Sequence, residues 1–579
     1  MKKLSSLCRT LSPLLIAASC AGGDQPTGES NGDPSDFEGI EEATQGLSDL
    51  GTQCTFIAGT GVATLAMVGS EVAMISKLSS GALGVNGFAC STATTVALKK
   101  LVITGDAMPQ NVIIDYLGGT FAPGTATGVG IDVDLGGGTD ALKFRGTKLA
   151  DVFVFGSTGI ATNIDTFKDI SYANVETFVV TMSDGADNFS GAGNAVTGGA
   201  FPTAVTVYGG AGDDIIRGGA GNDILDGGDG NDTFTTGTGP DGNDTIRGGA
   251  GTADVADYST RTLAVSLSLD TVANDGDIAT SELDNIGSDV EVLKGGLGND
   301  ILIGGAGNET LFGGPGDDTL TGGLGNDILN GDAGDDTFDE GAVTSGTDII
   351  NGGAGTDTVT YASRMIAVTI NLDATATSGE GVEHDKIALD VENAIGGAGD
   401  DTINGSPVDN VLDGGAGADT INGLAGNDTL RGGLGNDILN GGVGDDRFDE
   451  GTVTNGADTM NGGTGVDTVD YSHRTVGLVV VMNGTTPSGE ADATTHLVTE
   501  NDLIKTDVEN VIGGAGDDSL TGNAADNQIE GGAGDDTMFG LDGDDVLDGG
   551  GDGDVLDCGL GDADAVLNLT FTSSVNCEL

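Results

Sequence analysis

The chain has 579 residues, 106 of them glycine and only 4% aromatic, which excludes a conventional globular interior of that size and favours a narrow, repetitive core. Its 91 acidic and 20 basic residues leave a formal charge of −71. Such a chain is repelled by nucleic acid and repels itself when compact, so it is either disordered or holds cations, and the regular spacing of its aspartates favours the second.

Met1-Lys2-Lys3 and the apolar stretch through Ala17 read as a secretory signal, and no other run is long enough to span a membrane. The segment Ile16-Ala17-Ala18-Ser19-Cys20 resembles a bacterial lipoprotein cleavage box, with Ala17 where that family usually has leucine. Lipidation of Cys20 and ordinary cleavage nearby both remain open, and both imply export. The signal is assigned to residues 1–20, and residues 21–46, polar and acidic, read as a flexible tether. With Cys8 removed and Cys20 given to the anchor, four cysteines remain in an oxidising compartment. Cys54–Cys90 and Cys558–Cys577 are the expected bridges, since each closes a local loop and no CxxC pair suggests zinc.

Residues 47–208 read as an all-β leading region. Short apolar runs such as Leu101-Val102-Ile103-Thr104 alternate with Gly, Asn and Asp, and GGGTDALKF at 136–144 and DGADNFSG at 184–191 are weakened relatives of a repeat that becomes regular at Gly209. From Gly209 the chain reads in blocks of nine, starting GGAGDDIIR, GGAGNDILD, GGDGNDTFT. Glycines permit the tight turn, and an Asp-x-Leu/Ile/Phe step gives a very short half-buried strand. A unit of nine residues cannot bury its own apolar side chain, so the blocks must stack into a solenoid. Four arrays are expected at 209–294, 295–395, 396–512 and 513–557, the first three each carrying a short β insertion, with a disulfide-tied cap at 558–579. Arrays two to four are introduced by Asp-Val-Glu at 289–291, 390–392 and 507–509; arrays one to three are left through Tyr258 to Arg261, Tyr361 to Arg364 and Tyr471 to Arg474. A plain structural role is expected for the Tyr and Arg of these steps, since charged groups are often merely solvated; pairing of the Arg with acidic loop residues is the lesser alternative.

The blocks match GGxGxDxUx, and on that motif the chain resembles the RTX (repeats-in-toxin) family from Gly209 onward, more than half its length. The resemblance implies an all-β parallel β-roll or β-helix in which two nonapeptides form one coil and calcium sits between stacked loops. Aspartates 18 residues apart then lie about 4.8 Å apart. Without a cation, such neighbours repel by roughly 3 kcal/mol at an effective dielectric near 20. With calcium, which takes six to eight oxygens, they become a ligand set completed by glycine carbonyls. Asp300, Asp318 and Asp336 are expected in one column, Glu309 and Asp327 on the opposite side, and Asp401, Asp419 and Asp437 in another column. The remaining expected ligands of multiple Ca2+ ions are Asp214, Asp223, Asp232, Asp244, Asp348, Asp357, Asp428, Asp446, Asp458, Asp467, Asp518, Asp536, Asp545 and Asp554. Glu309 in place of Asp, and Asn410 and Asn527 likewise, should give weaker or empty sites, and GSPVDNVLD at 405–413 is the least regular coil.

No catalytic constellation stands out. His384, His473 and His496 lie outside any HExxH pair and read as solvent-facing loop residues; there is no GxSxG elbow or phosphate loop. Gly237–Gly242 matches GxGxxG without the helix that dinucleotide binding needs. The reading favoured is a non-enzymatic, exported, calcium-dependent structural or adhesive component. It would sit outside the cell or on its surface, with cell-surface or matrix polysaccharide as partner class and a lipid at Cys20 as the only membrane contact. The alternative is a secreted effector or hydrolase with its activity in residues 47–190.

Overall fold

A computed structural model describes residues 54–577, apart from 59, 81, 87, 95–97, 118–129, 163–167, 492–497, 562 and 568–570. The signal, Cys20 and the tether therefore lie outside the described residues. Every regular element among the described residues is a strand, and most pairings are parallel.

The repeat explains the coil. In Ile301–Ile303, Leu302 is buried and its two neighbours face outward, because successive side chains of a strand point to opposite sides. That strand pairs with Thr319–Thr321, Leu302 against Leu320, and Thr319–Thr321 pairs in turn with Thr337–Asp339. On the other side of the coil Thr310–Pro315 pairs with Ile328–Ala333, placing Leu311 against Leu329. Each register is 18 residues, two nonapeptides, so every coil gives one apolar residue from each side to a thin continuous core. A buried Leu or Ile contributes roughly 1.5–3 kcal/mol, and the roll is held by the sum along its length.

The leading region belongs to the same ladders. Val72–Lys77, Asn111–Asp115, Ala141–Arg145, Thr177–Asp184, Val205–Ala211, Ile224–Asp229 and Thr245–Ala250 pair in succession and in parallel. No break in this pairing occurs at residue 208. Here the core is wider and aromatic, with Phe155 edge-on to Phe144, Phe189 and Phe201.

Each insertion changes one side of the roll. In the first, Asn285–Ile286 is the last strand of the old ladder, while Val265–Ser268 starts the ladder that continues into Ile301–Ile303. Asp385–Ile387 and Thr369–Asn371 do the same in the second insertion, Leu503–Ile504 and Leu478–Val481 in the third. The opposite side runs on: Val255–Asp257 pairs with Val292–Lys294, Thr358–Thr360 with Asn393–Ile395, and Thr468–Asp470 with Asn510–Ile512. The insertions are thus junctions at which one ladder replaces another.

Both expected disulfides form, with Cα–Cα separations of 5.3 Å for Cys54–Cys90 and 5.2 Å for Cys558–Cys577. The second lies beside Phe571–Val575, which pairs in parallel with Asp554–Asp557 as the last strand of its ladder.

Candidate metal centres

The glycine turn delivers each repeat acid to the inside of the coil. Gly314 and Gly316 in the block GGPGDDTLT have φ of 102° and 136°, values an L side chain rarely adopts. Past them the chain turns so that the Asp318 carboxyl is buried at 1% exposure. All 22 expected ligands are buried, none more than 7% exposed.

They stand in columns. The amide of Asp300 donates to Oδ1 of Asp318 at 2.7 Å, and that of Asp318 to Oδ1 of Asp336 at 2.8 Å. On the other side Glu309 donates to Asp327 at 2.8 Å and Asp327 to Asp348 at 2.7 Å. The same bond joins Asp214 to Asp232, Asp223 to Asp244, Asp336 to Asp357, Asp428 to Asp446 and Asp446 to Asp467. It also joins Asp401, Asp419, Asp437 and Asp458 in one series, and Asp518, Asp536 and Asp554 in another.

Oδ1 of each aspartate is therefore occupied by the coil before it. Oδ2 is not. In Asp214, Asp232, Asp318, Asp327, Asp336, Asp357, Asp419, Asp428, Asp437, Asp446, Asp458, Asp467, Asp536 and Asp545 this oxygen is buried without a hydrogen-bond partner. A buried oxygen left unpaired costs roughly 1–3 kcal/mol, more when charged. Desolvation first, with neighbouring carboxylates adding to it, pushes Asp318, Asp327, Asp419 and Asp467 up to about 7. The missing partner fits a hard cation. A Cβ placed on Gly414 would stand 2.5 Å from Asp419 Oδ2 and 2.6 Å from the Gly432 carbonyl, so the glycine leaves a cradle lined by carboxylate and carbonyl oxygens.

Several positions differ in ways the sequence partly announced. Asp223, Asp300, Asp401 and Asp518 begin columns, and their Oδ2 atoms accept the amides of Gly219, Gly296, Gly397 and Gly514. Glu309 accepts the Gly305 amide at 3.2 Å. Asn410 donates through Nδ2 to the Glu392 carbonyl at 2.7 Å, and Asn527 to the Glu509 carbonyl at 2.8 Å, so an amide group fills the space beside the carboxamide oxygen.

Other column members escaped the sequence reading. The glutamates of Asp-Val-Glu continue the columns: Asp254 donates to Glu291 at 2.8 Å, Asp357 to Glu392 at 2.9 Å and Asp467 to Glu509 at 2.9 Å. Asp254 itself comes after Gly-Thr-Ala, one residue more than the motif allows, and has the unpaired Oδ2 of a regular member, as does Asp187 of the leading region. The recurrence of Asp-Val-Glu was the signal for the glutamates.

For the arginines the lesser alternative, pairing with acidic residues, holds. Arg261, Arg364 and Arg474 are fully buried, as are Tyr258, Tyr361 and Tyr471. Arg261 pairs with Asp241 at 2.6 Å and Glu282 at 3.0 Å, Arg364 with Glu383 at 3.0 Å, and Arg474 with Glu500 at 3.0 Å. The tyrosine hydroxyls close the columns that stop at the junctions: Tyr258 donates to Asp284 Oδ2 at 2.7 Å, Tyr361 to Asp385 and Tyr471 to Asp502, both at 2.8 Å. Burial wins here because a junction has no next coil to supply a partner for the last acid.

His473 is exposed and lies 3.8 Å from Asp449, His384 is exposed, and His496 lies outside the described residues. Gly237–Gly242 is a loop with no helix after it; its Asp241 serves Arg261.

No curated protein matches the chain. The family model of the RTX calcium-binding nonapeptide repeat matches repeatedly, over residues 208–252, 286–338, 343–362, 395–448, 452–471 and 506–562. The matched residues are those that build the parallel roll with its 18-residue coil and buried acid columns, and between residues 208 and 562 this chain carries RTX calcium-binding nonapeptide repeats.

Proposed function

We propose that the chain is an exported, non-enzymatic structural or adhesive component whose roll folds around calcium, with the acid columns as its ligands. The observation that carries the calcium assignment to these residues is the series of 14 repeat aspartates with one buried, unpartnered oxygen each. A single unpaired carboxylate is tolerable. A column of them is not, and a divalent cation between successive coils removes both the missing bond and the repulsion. The charge of −71 has the same remedy. Support for a structural role in residues 54–208 comes from their pairing into the same ladders as the repeats, which gives that region the role of the first coils of the roll. Export rests on the N-terminal sequence and on the two disulfides, which persist in oxidising compartments.

The test is calorimetry and circular dichroism on the full mature chain. Many calcium equivalents and a coil-to-β transition on adding calcium are expected, since sites absent from the unfolded chain link binding to folding. Full β structure retained in excess chelator would overturn the reading. Calcium-dependent retention on cell-surface polysaccharide without hydrolytic turnover would support adhesion, and turnover would favour an effector. Membrane fractionation of a Cys20→Ser variant reports on the anchor.

A further inference from the structure

The second and third arrays carry Phe-Asp-Glu-Gly within them, at 338–341 and 448–451, where the first array has Phe-Thr-Thr-Gly at 234–237. Glu340 and Glu450 have no place in the nonapeptide pattern, yet both are buried, at 4% and 1% exposure. Each meets the last two acids of the column that stops at its junction. Glu340, Asp348 and Asp385 form one group, Glu450, Asp458 and Asp502 the other, and in each group three carboxylate oxygens lie within 4.8 Å of one another.

The junction arginine does not account for these groups. Arg364 is engaged by Glu383 at 3.0 Å and Glu380 at 3.5 Å. Arg474 is engaged by Glu500 at 3.0 Å and Glu490 at 3.3 Å, and stands 3.8 Å from Glu450. In the third junction the remaining bonds can be traced atom by atom. Asp502 gives Oδ1 to the Asp458 amide at 3.0 Å and Oδ2 to the Tyr471 hydroxyl at 2.8 Å. Asp458 gives Oδ1 to the Asp437 amide at 2.7 Å, and Glu450 gives Oε2 to the Asn455 side chain at 3.0 Å. Asp458 Oδ2 and Glu450 Oε1 are left over, buried and without a partner.

We infer that the third-junction triad of Glu450, Asp458 and Asp502 binds one further calcium ion, in a site closed by a glutamate from outside the repeat. It rests on the calcium reading of the columns. The ion completes the column where a ladder ends and no next coil can supply an aspartate; Glu450 takes the place of that missing acid. In the second junction Glu340 Oε2 accepts the Ser345 hydroxyl at 3.0 Å, and no ion is assigned to that group. In the third junction Glu450 is also among the residues beside a surface cavity of about 220 Å³, together with Asp413, Asp449 and Asn455. The first junction has Thr236 at the glutamate position, and its extra acid, Asp241, is committed to Arg261. One junction ion is therefore expected, and none beside Thr236.

Crystals of the full mature chain grown with terbium(III) in place of calcium would locate the ions by anomalous scattering. A peak at Glu450–Asp458–Asp502, with none at Thr236, is expected. Peaks along the columns and none at that triad would overturn the junction site and leave the column reading intact; no peaks anywhere would overturn both. In solution, Glu450→Gln should lower the melting temperature at saturating calcium and lower it less, or not at all, at calcium just sufficient to fold the roll. A rise at both calcium levels means that the substitution only relieves repulsion, and the site does not exist.

Discussion

Asp318 and Asp336 meet through a single hydrogen bond, from the amide of the first to Oδ1 of the second over 2.8 Å, and each keeps a second oxygen buried without a partner. One carboxyl therefore serves two purposes, holding the coil above it by one oxygen and offering the other to an ion. Asp336→Asn separates them. The carboxamide oxygen still accepts the amide, while its NH2 group points a donor where the cation belongs. The calcium stoichiometry should fall by about one or two ions, with a loss on the order of 2 kcal/mol at saturating calcium and a smaller one at calcium just sufficient to fold the roll. Isothermal titration and thermal unfolding at both calcium levels decide it; equal destabilisation at both would mean that the role is packing alone.

The converse change should create a site. In the coil GNAADNQIE, Asn527 donates to the Glu509 carbonyl at 2.8 Å and to Asn523 at 3.1 Å, so the cradle is filled by amide groups. Asn523→Gly and Asn527→Asp bring the block closer to the motif and exchange that network for a free carboxylate oxygen. One additional calcium is expected by titration, together with a melting temperature that depends more steeply on calcium concentration, because without the ion the new acid has no partner.

Most of this architecture was legible because nine residues leave little choice. A glycine turn, one acid and one apolar residue per block dictate an 18-residue coil with Leu302 over Leu320 and Asp300 over Asp318. What lay hidden depended on partners remote in sequence. Glu291, Glu392 and Glu509 occupy acid positions without the glycines that mark one. The burial of Arg261, Arg364 and Arg474 depends on Glu282, Glu383 and Glu500, 21, 19 and 26 residues further on, in insertions with no repeat to align them. That the insertions exchange one ladder for another is a property of pairing between coils, and no local pattern encodes it.

Protons and calcium should compete for the columns. Burial holds Asp318, Asp327 and Asp419 at about 7 in the metal-free fold, against an ordinary value of 3.8. A carboxyl raised on folding contributes stability that is complete below its unfolded value and is lost as pH rises through the folded one. The calcium-stripped chain should therefore keep more β structure at pH 5 than at pH 8, and calcium should bind more tightly at pH 8, where no proton has to leave. Circular dichroism of metal-stripped protein across this range checks the sign; β content rising with pH in the absence of calcium would contradict it.

Two turns carry strain that can be relieved. Leu424 and Leu541 replace the second glycine of their blocks yet keep φ of 76° and 89°. The left-handed region costs a side chain roughly 1–2 kcal/mol, and both leucines are about half exposed, so little burial offsets it. Leu424→Gly and Leu541→Gly should each stabilise the calcium-loaded roll by about 1 kcal/mol in thermal or denaturant unfolding. A loss of stability would show that the leucine side chains pack against something that outweighs the turn.

The junctions should fail locally when their buried charges are broken. Arg474 is fully buried against Glu500 at 3.0 Å and donates to the Glu450 carbonyl at 2.7 Å. Arg474→Met leaves Glu500 buried without its cation, a change that typically costs 3–5 kcal/mol. Tyr471→Phe removes only the donor to Asp502 Oδ2 and should cost about 1–2 kcal/mol. Stability in a solenoid is a sum over neighbouring coils, so the damage should stay near the third junction. Hydrogen exchange in calcium should speed up in Leu478–Val481 and Leu503–Ile504, more for the arginine variant than for the tyrosine variant, while Ile301–Ile303 and Thr319–Thr321 keep their protection. Uniform acceleration along the chain would mean that the roll unfolds as one unit and that the junctions do not divide it.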